Sequence, residues 1–103
     1  MFDALHATIL FMIKSWKYKG LKLFKETGNK SGIQSKHANR LVDILDMLES
    51  AECPDDMHVP TFNLHKLIGN LRGYYSVTAQ ANWRVIFQFD RQDVILVDYL
   101  DYH

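Results

Sequence analysis

The last three residues, Asp101, Tyr102 and His103, set a carboxyl, a phenol and an imidazole side by side. Held in place, such a trio is equipped to move protons. Chain ends usually fray, so a titratable end matters only if something anchors it. Upstream, His65 in NLHKLIGN and Arg84 in NWRVIFQFD lie beside or within runs that read as strands. Cleaving RNA without a metal needs a base for the 2′-hydroxyl proton, an acid for the leaving 5′-oxygen and a cation for the phosphorane charge. Two histidines, or a histidine with Asp101, suit the first two roles, and Arg84 suits the third. A lone histidine beside a strand is more often structural, so this reading rests on the set.

Aromatic side chains could hold single-stranded bases by stacking. Tyr102, Tyr74, Tyr75 and Trp83 are the candidates, but alternation assigns Trp83 to the core. Tyr74 and Tyr75 must point to opposite faces, and Tyr75 is the one expected to meet RNA. The five histidines show neither HExxH nor a His and Cys spacing typical of zinc. His37 and His58 are expected to be solvated surface residues. No phosphate-binding glycine loop, nucleophile elbow or dinucleotide fingerprint is present, so no metal and no cofactor is implied.

These groups need a scaffold, and 103 residues make one domain with enough apolar content for a modest core. Ile13 to Lys17 reads as a short opening strand. GLKLFKETG follows as an amphipathic helix with Leu21, Phe24 and Leu23 inward, ended by Gly28. From about Ser35, Ala38, Leu41, Leu45 and Leu48 recur at helical spacing, with Val42 and Ile44 widening the stripe. CPDDM breaks that helix at Pro54. Phe62 to Leu67, Tyr74 to Thr78, Trp83 to Phe89 and Val94 to Tyr99 then read as four strands joined by short links, an antiparallel meander. In Trp83 to Phe89 the odd positions are apolar and form the core face, whereas Arg84, Ile86 and Gln88 take the other. The expected fold is therefore α+β, two N-terminal helices packed on one face of an antiparallel sheet, with the Arg84 face open to a partner.

Charge and cysteine content narrow the function. Met1 to Arg40 holds eight Lys or Arg against two carboxylates, and Leu41 to His103 holds four against ten. Such a division suits a nucleic-acid face, although lysines solvating a surface helix explain it as well. The single Cys53 excludes an intrachain disulfide and points to a reducing cytoplasm. MFDALHATILF lacks a basic start and a cleavage site and is too short to span a bilayer, so no membrane association is expected.

MIKSWKYKGLKLF, SGIQSKHANRL, LHKLIGNLRGYYSV, NWRVIFQF and the closing VDYLDYH together resemble the HigB toxins, the plasmid-killer branch of the RelE superfamily. The resemblance runs from Met12 to His103 as one toxin domain, leaving residues 1–11 as an N-terminal extension or the product of an upstream start codon. It implies a RelE-like microbial-ribonuclease fold and a ribosome-dependent endoribonuclease that cleaves mRNA in the A site without a metal. It also implies silencing by a HigA-type antitoxin, and contact with DNA only through that antitoxin. The family histidine of LHPLKG falls on His65, the arginine of NWR on Arg84, and the terminal Asp, Tyr and His on Asp101, Tyr102 and His103. His65 and His103 are then assigned to proton transfer, Asp101 to base or orienting duty, Arg84 to phosphate and Tyr102 to positioning. Ile68 stands where the family has a phosphate-binding lysine, which leaves Lys66 or Arg72 to supply that charge. ParE proteins on the same fold poison DNA gyrase by binding it, so a non-enzymatic toxin is the competing reading, followed by a weakened toxin that chiefly binds its antitoxin.

Overall fold

A computed structural model describes residues 13–102. Helix α1 spans Lys19–Thr27 and stops at Gly28, whose backbone turns left-handed at φ 80° and whose N–H donates to the Phe24 carbonyl at 2.8 Å. A side chain is disfavoured at that angle, which explains why glycine ends the helix. Leu21 and Phe24 are buried, but Leu23 is exposed, contrary to the expected inward position. Helix α2, Ala38–Ser50, is entered through a 3-10 turn over Ser35–His37. Its buried stripe is Ala38, Leu41, Ile44, Leu45 and Leu48. Val42 is 45% exposed and does not belong to it. One residue past Leu41 is a rotation of about 100°, which carries Val42 off the core side.

Pro54 opens a 3-10 turn over Pro54–Met57, and a second 3-10 turn occupies Pro60–Phe62. The strand expected over Phe62 to Leu67 therefore shrinks to β1, His65–Lys66. Pro60 fixes a helical φ at the first residue of that turn, and Asn63 adopts φ 51°, so the run cannot extend until His65. Arg40 fastens this linking segment to the body, its guanidinium donating to the Thr61 and Thr78 carbonyls and lying over the Phe62 ring.

Strands β2 (Tyr75–Gln80), β3 (Trp83–Asp90) and β4 (Asp93–Asp101) follow. With β1 they form a four-stranded antiparallel sheet in the order β1-β2-β3-β4, the expected meander. Residues around Ile13 and Trp16 bridge Val94 and Val97 of β4 in parallel, so the opening segment lines the outer edge of the sheet. A parallel partner requires a long intervening crossover, and here the two helices and three strands supply it.

The helices cover the face carrying Val77, Val85, Phe87, Val94, Val97 and Tyr99, and these pack with the α2 stripe into the main core. The opposite face is less open than expected. Leu67 and Tyr74 fold back across it and bury Ile86, with Leu71, Leu96 and Leu100 around them. The β1–β2 connection thus builds a second, smaller apolar cluster on the Arg84 side.

Candidate active site

Arg84, Asp101 and Tyr102 converge at the turn between β2 and β3. Arg84 donates from Nη1 to the Ala81 carbonyl at 2.7 Å, which fixes its guanidinium against the turn. The Tyr102 backbone N–H donates to the Asn82 carbonyl at 2.8 Å, so the C-terminal residues are anchored to the same turn. Asp101 closes β4 opposite Trp83, and Arg84 pairs with Leu100. Because neighbours alternate across a sheet, Arg84 and Asp101 occupy opposite faces around one edge. Tyr102 stays half-exposed beside them, and His103 lies outside the described residues.

Asp101 borders two clefts. One, of about 400 Å³, runs past Tyr18, Gln34, Trp83 and Tyr99. The other, of about 250 Å³, is lined by Lys36, His37, Gln80 and Asn82. Tyr18 at the mouth of the first is pinned by its hydroxyl donating to the Gly32 carbonyl at 2.7 Å. A half-exposed Trp83, a lysine and a carboxylate around such clefts suit a single-stranded nucleotide, whose base stacks and whose phosphate takes the charge.

His65 stands apart from this group. It pairs with Ser76, which pairs with Ile86, which pairs with Asp98. His65 thus shares the Arg84 face but lies two strand spacings from β3, roughly 10 Å, and three from the strand of Asp101. His65 and Asp101 are therefore not in contact with each other. Lys66 is exposed at the outer strand and pairs with Tyr75, while Arg72 is exposed just past the 3-10 turn Gly69–Leu71. Ile68 is 84% exposed in the same connection, so its side chain neither packs nor supplies charge.

Tyr75 and Tyr74 take opposite faces of the sheet, as expected. Tyr75 turns toward the helices, half-buried against the main core, and stacks on Phe87 with centroids 6.2 Å apart. Tyr74 is the residue on the Arg84 face, but it is buried over Ile86, with the Lys17 ammonium 5.7 Å from its ring centre. Of the basic N-terminal half, Lys25 turns to α2, where Asp46 and Glu49 lie at 3.5 and 3.7 Å.

Residues 14–103 match the family described as the RelE-like toxin of the type II toxin-antitoxin system HigB. The chain belongs to this family. It is 41% identical over 92 residues to a Proteus vulgaris protein named Endoribonuclease HigB, covering 89% of this chain and all of that one. It is 34% identical over 94 residues to Toxin HigB-1 of Vibrio cholerae serotype O1, covering 89% of this chain and 98% of that one. A toxin of this family has an antitoxin as its partner. No helix among the described residues is long and apolar enough to cross a membrane.

Several groups near this HigB-like site escaped sequence reasoning. His37, expected on the surface, is 1% exposed and meets the Tyr99 hydroxyl at 2.7 Å through Nδ1. Tyr99 also accepts the Gln34 backbone N–H at 3.1 Å. Burial lowers the His37 pKa, Lys36 lowers it further, and a hydrogen bond that the imidazole donates to the Gln80 side chain opposes the shift. Burial raises the Tyr99 pKa, against the Gln34 hydrogen bond. Both rings are thus held neutral, and we assign the Tyr99 hydroxyl as the donor to His37 Nδ1, leaving the ring proton on Nε2. The polar neighbours of His37 in sequence hid this burial, because the partner that buries it comes from β4. Asp98, in the His65 row and accepting the Tyr99 N–H at 2.8 Å, carried no sequence signal either.

Proposed function

We propose that this HigB-family chain is a metal-independent endoribonuclease that cleaves mRNA in the ribosomal A site and halts translation. The observation that carries the reading is that Arg84 and Tyr102 are tied to one turn, with Asp101 at the adjoining end of β4, on a chain 41% identical to a protein named Endoribonuclease HigB.

In the reaction, a base removes the 2′-hydroxyl proton and the 2′-oxygen attacks the adjacent phosphorus. The bond to the 5′-oxygen breaks as that oxygen takes a proton from an acid, leaving a 2′,3′-cyclic phosphate and a free 5′-hydroxyl. Arg84 balances the charge of the five-coordinate phosphorus through its planar fork of N–H donors. Its tie to Ala81 orients that fork in advance. His103 and His65 transfer the protons, Asp101 orients or accepts beside His103, and Tyr102 positions the nucleotide. Lys66 and Arg72 supply the backbone charge that Ile68 does not. The cellular setting of this reading is the cytoplasm, with a HigA-type antitoxin as the silencing partner.

Primer extension on an mRNA, with and without programmed ribosomes, tests it. Cleavage inside the A-site codon that requires ribosomes and vanishes in the H65Q/H103Q double variant is the expected result. Growth arrest with intact messenger would instead identify a toxin acting by binding a protein target.

A further inference from the structure

The face on which Asp101 and Tyr102 emerge is decided earlier in β4, at Leu96 and Val97. Val94 pairs with Phe89 and Ile95 with Gln88, but the next pairs join Asp98 to Ile86 and Tyr99 to Val85. Phe87 is therefore opposed by two residues, Leu96 and Val97, a β-bulge that inserts one residue into β4. Side-chain direction in a strand has a period of two, so one inserted residue exchanges the faces of everything beyond it. With the bulge, Val97, Tyr99 and Asp101 point to the helix side and Tyr102 to the Arg84 side. Without it, Asp98 and Tyr102 would face the helices, and Tyr99 would leave His37.

This bulge is unfavourable in isolation. Leu96 adopts φ 56°, a left-handed conformation in which a branched side chain is strained. Glycine is the usual residue for such a position. What compensates lies at the opposite end of the chain. Ser15, in the edge segment beside β4, accepts the Leu96 N–H on its side-chain oxygen at 2.8 Å and the Val97 N–H on its carbonyl at 3.2 Å. A bulge leaves backbone donors without their ladder partners, and Ser15 satisfies both.

We infer that Ser15 is a positioning residue for RNA cleavage, whose hydroxyl and carbonyl hold the β4 bulge that sends Asp101 and Tyr102 to their working faces. This rests on the proposed endoribonuclease activity, and it adds a residue that touches no substrate. Lys14 and Lys17 donate backbone N–H groups to Val94 and Val97 on either side, so the edge segment stays attached when the Ser15 hydroxyl is removed.

Ser15→Ala, Ser15→Thr and the double variant Ser15→Ala with Leu96→Gly separate this role from simple edge pairing. In ribosome-programmed cleavage, Ser15→Ala is expected to lower kcat about tenfold to a hundredfold with KM and antitoxin affinity unchanged, the signature of misplaced catalytic groups. Ser15→Thr keeps the hydroxyl and is expected to keep the rate. Leu96→Gly removes the strain that Ser15 opposes and is expected to restore the Ser15→Ala rate. An unchanged kcat in Ser15→Ala, or a loss that Leu96→Gly does not repair, overturns the inference. If the wild-type chain itself cleaves nothing, the activity reading has failed. NMR then decides the geometry alone: unchanged Asp101-to-Trp83 cross-strand contacts in Ser15→Ala refute the role, and their loss upholds Ser15 as the holder of the bulge.

Discussion

His37 and Tyr99 are joined by a 2.7 Å hydrogen bond between Nδ1 and the phenolic oxygen, linking the entrance of α2 to the last core position of β4. Trp83 packs on Tyr99 with ring centres 4.7 Å apart and lies opposite Asp101 in the sheet. The buried pair is thus one side chain removed from the candidate catalytic carboxylate.

That pair makes stability sensitive to acid. The His37 pKa is lowered from its ordinary 6.5 by burial, so below pH 6.5 the unfolded chain binds a proton that the folded chain resists. The contribution of neutral His37 is complete above pH 6.5 and declines as the pH falls below it, down to the lowered folded value. In His37→Gln, urea denaturation between pH 7 and pH 5 is expected to show a shallower loss of stability than in wild type, whatever the stability at neutral pH. Equal slopes would show that His37 does not titrate as its burial requires.

Removing the other partner acts at all pH values. Tyr99→Phe leaves the His37 ring nitrogen and the Gln34 N–H without their phenolic oxygen. Unsatisfied buried polar groups cost about 1–3 kcal/mol each, so a drop of that order in unfolding free energy is expected by chemical denaturation at neutral pH. A change below about 0.5 kcal/mol, the range of surface substitutions, would contradict the pairing.

Arg84→Gln separates chemistry from folding. Loss of the cation that faces the phosphate is expected to lower cleavage about a hundredfold to a thousandfold. Loss of its bond to the Ala81 carbonyl removes about 0.5–1.5 kcal/mol of stability. Arg84→Lys keeps the charge without the planar fork and is expected to fall between the two in cleavage. A wild-type cleavage rate in Arg84→Gln would remove Arg84 from the site.

The helical stripe makes a paired prediction. Ile44 is completely buried and Val42 is 45% exposed, although only Asp43 separates them. Ile44→Ala is expected to destabilise by about 2–5 kcal/mol, and Val42→Ala by about 0.5 kcal/mol or less. Thermal unfolding of the two variants measures both, and comparable losses would place Val42 in the core after all.

Close packing near the first cleft gives a further test. A Cβ on Gly32 would lie 2.8 Å from the Gly20 Cα and 3.1 Å from the Tyr18 hydroxyl. The nearer contact is backbone and cannot rotate away, so Gly32→Ala is expected to cost about 1–3 kcal/mol through overpacking. The Tyr18 hydroxyl bond to the Gly32 carbonyl is expected to weaken with it. Denaturation together with the Tyr18 ring signals by NMR reads both effects.

Much of this protein is local, and what is local is legible in sequence. The alternation from Trp83 to Phe89 assigns the faces of β3 because a strand repeats every two residues. The stripe from Ala38 to Leu48 defines α2 because a helix repeats every 3.6. Gly28 marks the end of α1 through its backbone freedom, and Arg84, Asp101 and Tyr102 stand out by chemical type. Tertiary structure decided which surfaces those elements meet. His37 looks solvated among its neighbours and is buried only because Tyr99, far along the chain, lies against it. Tyr75 rather than Tyr74 joins the main core, and the β1–β2 connection buries Ile86 on the face expected to be open. The orientation of Asp101 depends on a bulge that exists only as a mismatch between β4 and its partner. Periodicity reports which side chains share a face within one element. Register and burial arise between elements, where pairing and packing energies are settled by contacts that no single segment contains.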